Sequence, residues 1–275
     1  MSKFEVYRAN TFKEYLEVLN TVTEEPAIKL TPQGLHSVAM DQGHCYMYEL
    51  NLPSSFFDSW KIEENEKFQI NLGCLLKALR KTDKNETLVM EYVYDKVTRE
   101  KATENLIGQP TTNIVVSEDK ENEKLKISLI SDMTRQKTID CVKLLEEEIP
   151  SPKIFFKNKV RLTMDVFKRI LEDFNNNGEH ISIEGNDDEV IFRTESDEYK
   201  DYVKLDKNSD HILEIRNDET SKATYTINHI LPFIKKALKV SEVVTMQFSQ
   251  DMPLKIDVEL PLGTLIFYVA PYIDI

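Results

Sequence analysis

Most of this 275-residue chain consists of short runs in which apolar and polar residues alternate. An alternation of period two is typical of strands that bury one face. In EKLKISLI it places Leu125, Ile127 and Leu129 on one side. Two such runs flank the Gly-Asn-Asp-Asp turn of HISIEGNDDEVIFRTE, and two more flank Pro-Leu-Gly in PLKIDVELPLGTLIFYVAPYI. The pattern therefore predicts a fold rich in antiparallel hairpins.

Four segments keep the helical period of 3.6 residues instead. They comprise residues 11–22, 72–84, 164–175 and 228–241, and each follows a strand-like run. Three of them begin at residue types that cap helices by accepting hydrogen bonds from free backbone N–H groups: Asn71, Thr163 and Asn228. The sequence predicts a helix over each segment.

The stretch 68–93 resembles 225–249, because an Ile-Asn pair opens the helix, a basic cluster adjoins Ala-Leu and a Met-containing strand follows. Four copies of one helix-plus-strands unit predict an α+β fold of two similar domains. The joint falls where three consecutive glutamates and two prolines follow a strand-like run. We expect an N-terminal domain at 1–137, a connector at 138–153 and a C-terminal domain at 154–275. A loop inside one domain is the alternative.

Basic residues are concentrated in two predicted helices, although the chain has 35 Lys and Arg against 48 Asp and Glu, a formal net charge of −13. Segment 228–241 carries three lysines and no acid, and segment 72–84 carries four basic residues and one acid. On a helical projection Lys235, Lys236 and Lys239 lie opposite the apolar side chains. Because phosphates respond to local potential, such faces predict sequence-independent contact with a nucleic-acid backbone. For any single helix, an ordinary amphipathic surface helix is the alternative.

No pattern in the sequence is typical of a catalytic, cofactor or metal site. The five histidines form no HExxH pair, and GxSxG and GxGxxG motifs do not occur. The acidic turn at 187–189 is more typical of a solvated hairpin tip than of a cation site. We therefore expect no enzyme activity, no cofactor and no metal.

Three further features concern the compartment. The three cysteines lack CxxC spacing, no run of 18 apolar residues occurs, and MSKFEVYRAN has no apolar signal core. These features indicate a reducing, intracellular environment and no membrane span. We expect the nucleus if the source is eukaryotic, and otherwise the cytoplasm or a viral replication site.

Four stretches resemble the proliferating cell nuclear antigen (PCNA) family of DNA sliding clamps. In chain order they are LHSVAMDQGHCYMYELNLPSSFFDSWK, INLGCLLKALRK, DMPLKIDV and LIFYVAPYI, and the similarity covers nearly the whole chain. The resemblance implies two similar clamp domains, each with antiparallel sheets outside and two helices lining a ring. Three subunits would close head to tail as a homotrimer around duplex DNA. One subunit of a heterotrimeric or checkpoint-type clamp is the alternative.

The same resemblance implies partners and site residues. DNA polymerase and other proteins with PIP-type motifs (short clamp-binding peptides) would dock on one face, and a separate clamp loader would open the ring. The implied DNA contacts are Lys13, Lys77, Arg80, Lys81, Lys84, Lys168, Arg169, Lys235, Lys236 and Lys239. The implied partner pocket comprises Met40, His44, Met47, Ile149, Pro253, Tyr268, Ala270 and Pro271. Subunits would join a strand at Cys141, Val142, Lys143 and Leu144 to a strand at Tyr202, Val203, Lys204 and Leu205.

The sequence departs from the family pattern in two respects. It is longer, and the additional residues at 94–123 predict an enlarged polar hairpin or loop. The first and third helical segments are not net basic, so their contribution to DNA contact depends on Lys13, Lys168 and Arg169. Taken alone, Met40 and Met47 are more typical of a core than of a binding site.

Overall fold

The computed structural model describes the backbone of residues 2–82, 85–104, 110–143, 149–196 and 199–273. It describes the side chains of the same residues except 98–104 and 110–119. Within this part of the chain, antiparallel sheets and four α-helices enclose one continuous hydrophobic core. The predicted α+β class is confirmed.

The first half of the chain contains nine strands and two helices in its described part. In order they are β1 (Ser2–Tyr7), α1 (Ala9–Leu19), β2 (Ala27–Thr31), β3 (Gly34–Met40), β4 (Tyr46–Pro53), β5 (Ser59–Lys61), β6 (Glu66–Gln69), α2 (Leu72–Ala78), β7 (Thr87–Glu104), β8 (Pro110–Ile130) and β9 (Thr134–Asp140). A short 3-10 helix, Ser54–Phe56, links β4 to β5.

The second half repeats this alternation. Its elements are β10 (Asn158–Thr163), α3 (Met164–Asn175), β11 (His180–Asn186), β12 (Glu189–Glu195), β13 (Lys200–Asp206), β14 (Ile212–Asn217), β15 (Ser221–Thr226), α4 (Ile227–Ala237), β16 (Val243–Phe248), β17 (Leu254–Val258) and β18 (Thr264–Val269).

One sheet runs through both halves of the chain. Its nine strands follow the order β14-β10-β16-β17-β18-β4-β3-β2-β6, so β18 pairs with β4 at the junction. There, Tyr268 lies opposite Met47 and Phe267 lies opposite Tyr48. A five-stranded sheet, β5-β1-β7-β8-β9, belongs to the first half, and a four-stranded sheet, β13-β12-β11-β15, belongs to the second. A continuous backbone ladder therefore joins the two halves.

The alternation in the sequence matches burial in these sheets. Leu125, Ile127 and Leu129 of β8 are at most 2% exposed, as predicted. In the predicted β11–β12 hairpin, Ile183 lies opposite Phe192 and both side chains are buried. Burying a side chain of this size contributes about 1.5–3 kcal/mol, so the alternating faces specify which side of each strand faces the core.

The four helices lie side by side, and their mutual contacts give the order α3–α4–α1–α2. Their apolar faces are buried, with Phe12 of α1, Phe167 of α3 and Phe233 of α4 at most 2% exposed. The ring of Phe233 stacks on Phe267 of β18, with centroids 4.1 Å apart and ring planes 9° apart. Because the apolar faces pack against the sheets, the polar faces point away from them.

One helix, α3, spans the predicted residues 164–175, whereas the other three differ at their ends. α1 is Ala9–Leu19 rather than 11–22, because Arg8 adopts left-handed backbone angles (φ 65°) and the chain turns there into the helix. α2 ends at Ala78 rather than at 84, and α4 is Ile227–Ala237 rather than 228–241. At the ends of these three helices, the apolar and polar residues keep the helical period, although the backbone there is no longer helical.

The three predicted caps had different outcomes. Asn71 caps α2, since its side-chain oxygen accepts a hydrogen bond from the N–H of Cys74 at 2.9 Å. Thr163 occupies the N-cap position of α3 without a capping bond from its side chain. The prediction for Asn228 was wrong, because β15 continues to Thr226, which is the N-cap residue, and the strand passes directly into α4.

β7 and β8 continue beyond the five-stranded sheet as a two-stranded arm. β1 pairs with β7 as far as Tyr92, and β9 pairs with β8 from Lys124 onward. Past these residues, the described parts of β7 and β8 pair with each other as far as Glu104 and Pro110. The segment predicted as a hairpin or loop at 94–123 is therefore a long hairpin, whose tip at 105–109 lies outside the described residues.

Glu66 anchors the root of this arm. It is 5% exposed, and its carboxylate accepts hydrogen bonds from the Tyr94 hydroxyl at 3.0 Å and from the Lys120 ammonium. Lys120 also lies over the Tyr94 ring, with Nζ 4.4 Å from the centroid. Because a buried carboxylate is tolerated only when paired, these contacts fix where the arm leaves the sheet.

Candidate helix row, groove and sheet-edge sites

The polar faces of α1, α3 and α4 form one surface. We call this surface, together with the adjoining end of α2, the helix row. Lys235 of α4 contacts Glu172 of α3, with Nζ and Oε1 3.0 Å apart. On the other side of α4, Lys239 and Lys236 approach Oε2 of Glu17 in α1 at 2.8 and 3.4 Å. Side chains can pair across helices only if they face the same side, so these cations share one surface.

The remaining predicted DNA contacts extend this row at both ends. Lys13 pairs with Glu17 at 3.8 Å, Lys168 with Glu172 at 3.6 Å, and Arg169 with Asp165 at 3.2 Å. At the other end, α2 packs beside α1, and three exposed cations form no ion pair with any described residue: Lys77 in the last turn of α2, and Arg80 and Lys81 just after it. Lys84, which was also predicted to contact DNA, lies outside the described residues.

Glu17 and Glu172 keep their charge in this setting. Burial raises the pKa of Glu17 and is the largest single influence, but the hydrogen bonds and positive charges of Lys239 and Lys236 together outweigh it and hold the pKa below its usual value. The hydrogen bond from Lys235 lowers the pKa of Glu172. Both glutamates are therefore anions at neutral pH. Sequence analysis did not identify the partners of Glu17 on α4.

The predicted partner pocket gathers around one cross-strand row of the nine-stranded sheet. Met40 of β3 lies opposite Met47 of β4, and Met47 lies opposite Tyr268 of β18. Met47 and Tyr268 are 4% and 8% exposed, so the two central side chains of this row are buried. Burial is also the main reason that the pKa of Tyr268 is raised, which leaves its hydroxyl protonated and able to donate.

The other predicted pocket residues lie around this row. His44 is exposed on the loop after β3 and, with Met40 and Ile149, lines a groove of ≈ 380 Å³. Ala270 joins this end of the sheet, because its N–H donates to the Cys45 carbonyl at 2.7 Å. Flanking residues complete the set, since β17 starts directly after Pro253 and pairs with the strand that ends before Ala270 and Pro271. The structure thus brings all eight predicted pocket residues to one region.

Asp41 shapes the His44 loop, and sequence analysis did not identify it as doing so. Its carboxylate accepts hydrogen bonds from the backbone N–H groups of Gly43, Cys45 and Tyr46 at 2.9, 2.7 and 2.8 Å. His44 lies inside this turn with left-handed angles (φ 56°). An Asp that receives several local N–H donors is a recognised turn-forming pattern, which is the signal that could have found it.

The connector crosses the outer face of the nine-stranded sheet beside the pocket. Ser151 donates a hydrogen bond to Oε2 of Glu49 in β4 at 2.8 Å. Ile149 lines the groove with Met40 and also a second groove of ≈ 370 Å³ that includes Lys29 and His36. The connector therefore separates two grooves. Residues 144–148 of the connector lie outside the described part of the chain.

Two strands of equal length have a free edge, one in each half of the chain. β9 and β13 each have seven residues, and each pairs on one side only among the described strands. The free edge of β13 includes Tyr202 and Lys204: because Lys207 N–H donates to the Asp188 carbonyl, the antiparallel alternation turns the odd-numbered residues toward β12 and the even-numbered ones outward.

One predicted interface strand needs correction. Cys141 and Val142 form no strand: the Cys141 N–H donates to the Glu123 carbonyl at 2.9 Å, and Val142 makes an isolated bridge to Gln69. The edge strand next to these residues is β9, which ends one residue earlier and carries the N–H and C=O groups of Thr134, Gln136, Thr138 and Asp140 outward. Lys143 follows without regular structure, and Leu144 lies outside the described residues.

The described residues contain no group of three or more His, Cys, Asp or Glu side chains placed to hold a metal ion. In the acidic turn considered above, Asp188 pairs with Lys207 at 2.6 Å and Glu189 pairs with Lys204. Within the same part of the chain, no helix is both long enough and apolar enough to cross a bilayer.

Comparison with known proteins agrees with this architecture. The N-terminal domain of proliferating cell nuclear antigen matches residues 1–105, and its C-terminal domain matches residues 150–273. Curated relatives include a DNA polymerase sliding clamp of Pyrococcus abyssi, 26% identical, and DNA polymerase sliding clamp 1 of Pyrobaculum aerophilum, 23% identical. Each similarity covers 97% of this chain and 96% of the relative.

Solved structures show the same fold. The proliferating cellular nuclear antigen of Entamoeba histolytica superposes with a TM-score of 0.82 at 19% identity, covering 99% of both chains. A chain of the PCNA2–PCNA3 complex from Sulfolobus tokodaii superposes with a TM-score of 0.80 at 21% identity, covering 98% of both. With both domains matched in order across most of its length, this chain belongs to the proliferating cell nuclear antigen family.

Proposed function

We propose that this chain is the subunit of a DNA sliding clamp, a non-catalytic ring that encircles duplex DNA and tethers DNA polymerase to it. The observation that carries the proposal is the helix row: cations of α1, α3 and α4 share one face, and α2 with its basic end packs beside α1, in a chain whose formal net charge is −13. An acidic exterior repels DNA, so a single basic surface directs the duplex to one place. Family membership supports the same function.

In the proposed ring, subunits associate head to tail through their free sheet edges. β9 of one subunit adds to β13 of the next, which continues the ladder across the boundary and removes two exposed edges. Three subunits would place twelve helices around a central channel, with the sheets outside. Lysines on those helices would contact phosphates without reading bases, as sliding requires.

The groove beside the connector is the proposed docking site for polymerase and other partners with PIP-type motifs. Its lining includes Met40, His44 and Ile149, and Met47 and Tyr268 continue the cross-strand row of Met40. We expect these apolar and aromatic side chains to receive the aliphatic and aromatic anchors of a short peptide. Loading onto closed DNA would need a separate clamp loader. The proposed location is intracellular: the nucleus in a eukaryote, and otherwise the cytoplasm or a viral replication site.

Salt-dependent binding to a linear duplex tests the DNA-facing surface. The test variant replaces four cations of the helix row with Ala: Lys77, Arg80, Lys235 and Lys236. Each lost phosphate contact flattens the plot of log Kobs against log salt by about 0.9, so we expect the slope to decrease by about 2–4 units. The matched control replaces four exposed lysines of the sheets and connector: Lys61, Lys126, Lys153 and Lys222. An unchanged slope in the first variant, or an equal change in the control, would contradict the assignment.

A heteromeric ring is the second candidate. The observation that favours it is the similarity to a chain of the PCNA2–PCNA3 complex of Sulfolobus tokodaii. Light scattering of the pure protein separates the two. A particle of about 96 kDa, three times the 32.0 kDa chain, indicates self-closure. A stable monomer indicates that different subunits supply the facing edges.

A further inference from the structure

Two carboxylates occupy the middle of the helix row. The side chain of Glu17 is 18% exposed and has three lysines within 4.0 Å: Lys13, Lys236 and Lys239. Glu172 has two: Lys168 and Lys235. With Arg169, which pairs with Asp165, six of the ten predicted DNA contacts are therefore already paired with an anion of the same chain.

The row thus contains cations of two kinds. Lys77, Arg80 and Lys81 at the end of α2 form no ion pair with a described residue, so no described carboxylate competes with a phosphate for them. The lysines around Glu17 and Glu172 must leave a carboxylate before they can contact a phosphate fully. Five lysines against two glutamates leave a local charge of +3, and the fixed anions also repel phosphates directly.

A lysine that moves from a carboxylate to a phosphate changes its free energy less than a lysine that moves from water to a phosphate, because it replaces one anion with another. A lysine that alternates between a carboxylate of the ring and a phosphate keeps a charge-assisted hydrogen bond in both states. The lysine–carboxylate pair and the lysine–phosphate pair are both solvent-accessible, so each is weak. Neither pair therefore holds the duplex at a fixed position. A surface of this kind holds DNA without fixing its position.

We propose that Glu17 and Glu172 are positioning residues that hold the lysines of α4 in place and lower the affinity of the row for DNA, so that the duplex slides instead of adhering. This inference depends on the proposed function of the helix row. In this proposal, the cations at the end of α2 contact phosphates continuously, whereas the lysines of α4 alternate between carboxylates and phosphates.

The test removes both negative charges with Glu17→Gln and Glu172→Gln and measures binding to a linear duplex by fluorescence anisotropy over a salt series. If two additional phosphate contacts form, the slope of log Kobs against log salt steepens by about 2 units, at about 0.9 per contact. Affinity at low salt rises several-fold, and one-dimensional diffusion observed on single DNA molecules slows. Glu172→Gln alone, which leaves the α1–α4 pairs intact, steepens the slope by about half as much.

The matched control is Glu214→Gln with Glu259→Gln. These glutamates also lie in surface ion pairs, with Lys159 at 2.8 Å and Arg161 at 2.7 Å, but on the sheet side of the molecule. The control removes the same number of negative charges. If the slope steepened equally in the control, the effect would depend only on net charge, and the inference would be overturned. An unchanged slope in Glu172→Gln and in the double variant would also overturn it.

Failure of this inference is distinguishable from failure of the proposed function. If removing the four cations flattens the slope but removing the two glutamates leaves it unchanged, the DNA-facing surface stands and its tuning by carboxylates does not. If neither set of variants alters binding, the helix row is not the DNA-facing surface.

Discussion

Lys204 of β13 offers a direct test of head-to-tail assembly through sheet edges. Its N–H points away from β12, so replacing it with proline removes an outward donor without breaking the β12–β13 ladder. Val203 pairs with Phe192 and points the other way. Lys204→Pro and Val203→Pro thus differ by one position and by which side of the strand loses its donor.

The magnitude follows from the ladder. At each interface, Lys204→Pro loses one hydrogen bond of about 1 kcal/mol and leaves the opposing carbonyl unpaired at a cost of about 1–3 kcal/mol. Together these weaken each interface by about 2–4 kcal/mol, or about 30- to 700-fold, since 1.4 kcal/mol is a factor of ten. Lys204→Ala loses only the exposed ion pair with Glu189, which contributes little because solvent screens it.

Size-exclusion chromatography with light scattering, over a dilution series, measures the outcome. We expect Lys204→Pro to shift the particle from about 96 kDa toward the 32.0 kDa chain at concentrations where Lys204→Ala stays assembled. The thermal unfolding of the Lys204→Pro subunit should stay near that of Lys204→Ala, whereas Val203→Pro should unfold earlier because it breaks the internal ladder. Unweakened assembly of Lys204→Pro would refute pairing through this edge.

Two further predictions concern the groove and the cysteines. Replacing Tyr268 and Met47 together with Ala should abolish calorimetric binding of a synthetic PIP-type peptide, since two buried anchors at about 2 kcal/mol each account for about a thousandfold. Tyr268→Phe, which keeps the ring, should retain binding, and full affinity in the double variant would reject the groove. Burial, assisted by nearby Glu123 and Asp140, raises the pKa of Cys141 to about 12, so its thiol stays protonated below that pH. Exposed Cys74 should therefore be alkylated by iodoacetamide at pH 8 well before Cys141, and equal rates by mass spectrometry would contradict this.

Features set by short-range pattern could be predicted from the sequence. The period of two placed Leu125 and its neighbours in the core, and the period of 3.6 gave both ends of α3. Asn71 was recognisable as a cap because its partner lies three residues away. The pocket residues came from the resemblance, since Met40 and Met47 have no signal of their own beyond hydrophobicity.

Helix ends and edge strands depended on contacts that the sequence does not display. α4 begins one residue earlier than predicted because β15 delivers the chain directly into it. The candidate interface edge of the first half is β9 rather than 141–144, because Cys141 and Val142 are held by β8 and β6 instead. Alternation is weak on an edge strand exposed on both faces, so the pattern carries little information there.

The sequence by itself determined the two-domain α+β architecture and the segregation of positive charge into helices, and its resemblance to the family supplied the predicted set of pocket residues. Only the tertiary structure decided that those helices form one row and that Glu17 is shared by lysines 219 and 222 positions away. Periodicity and local charge act within one element and can be seen in the chain. The pairing of ions across helices depends on how separate elements pack, which no local pattern encodes.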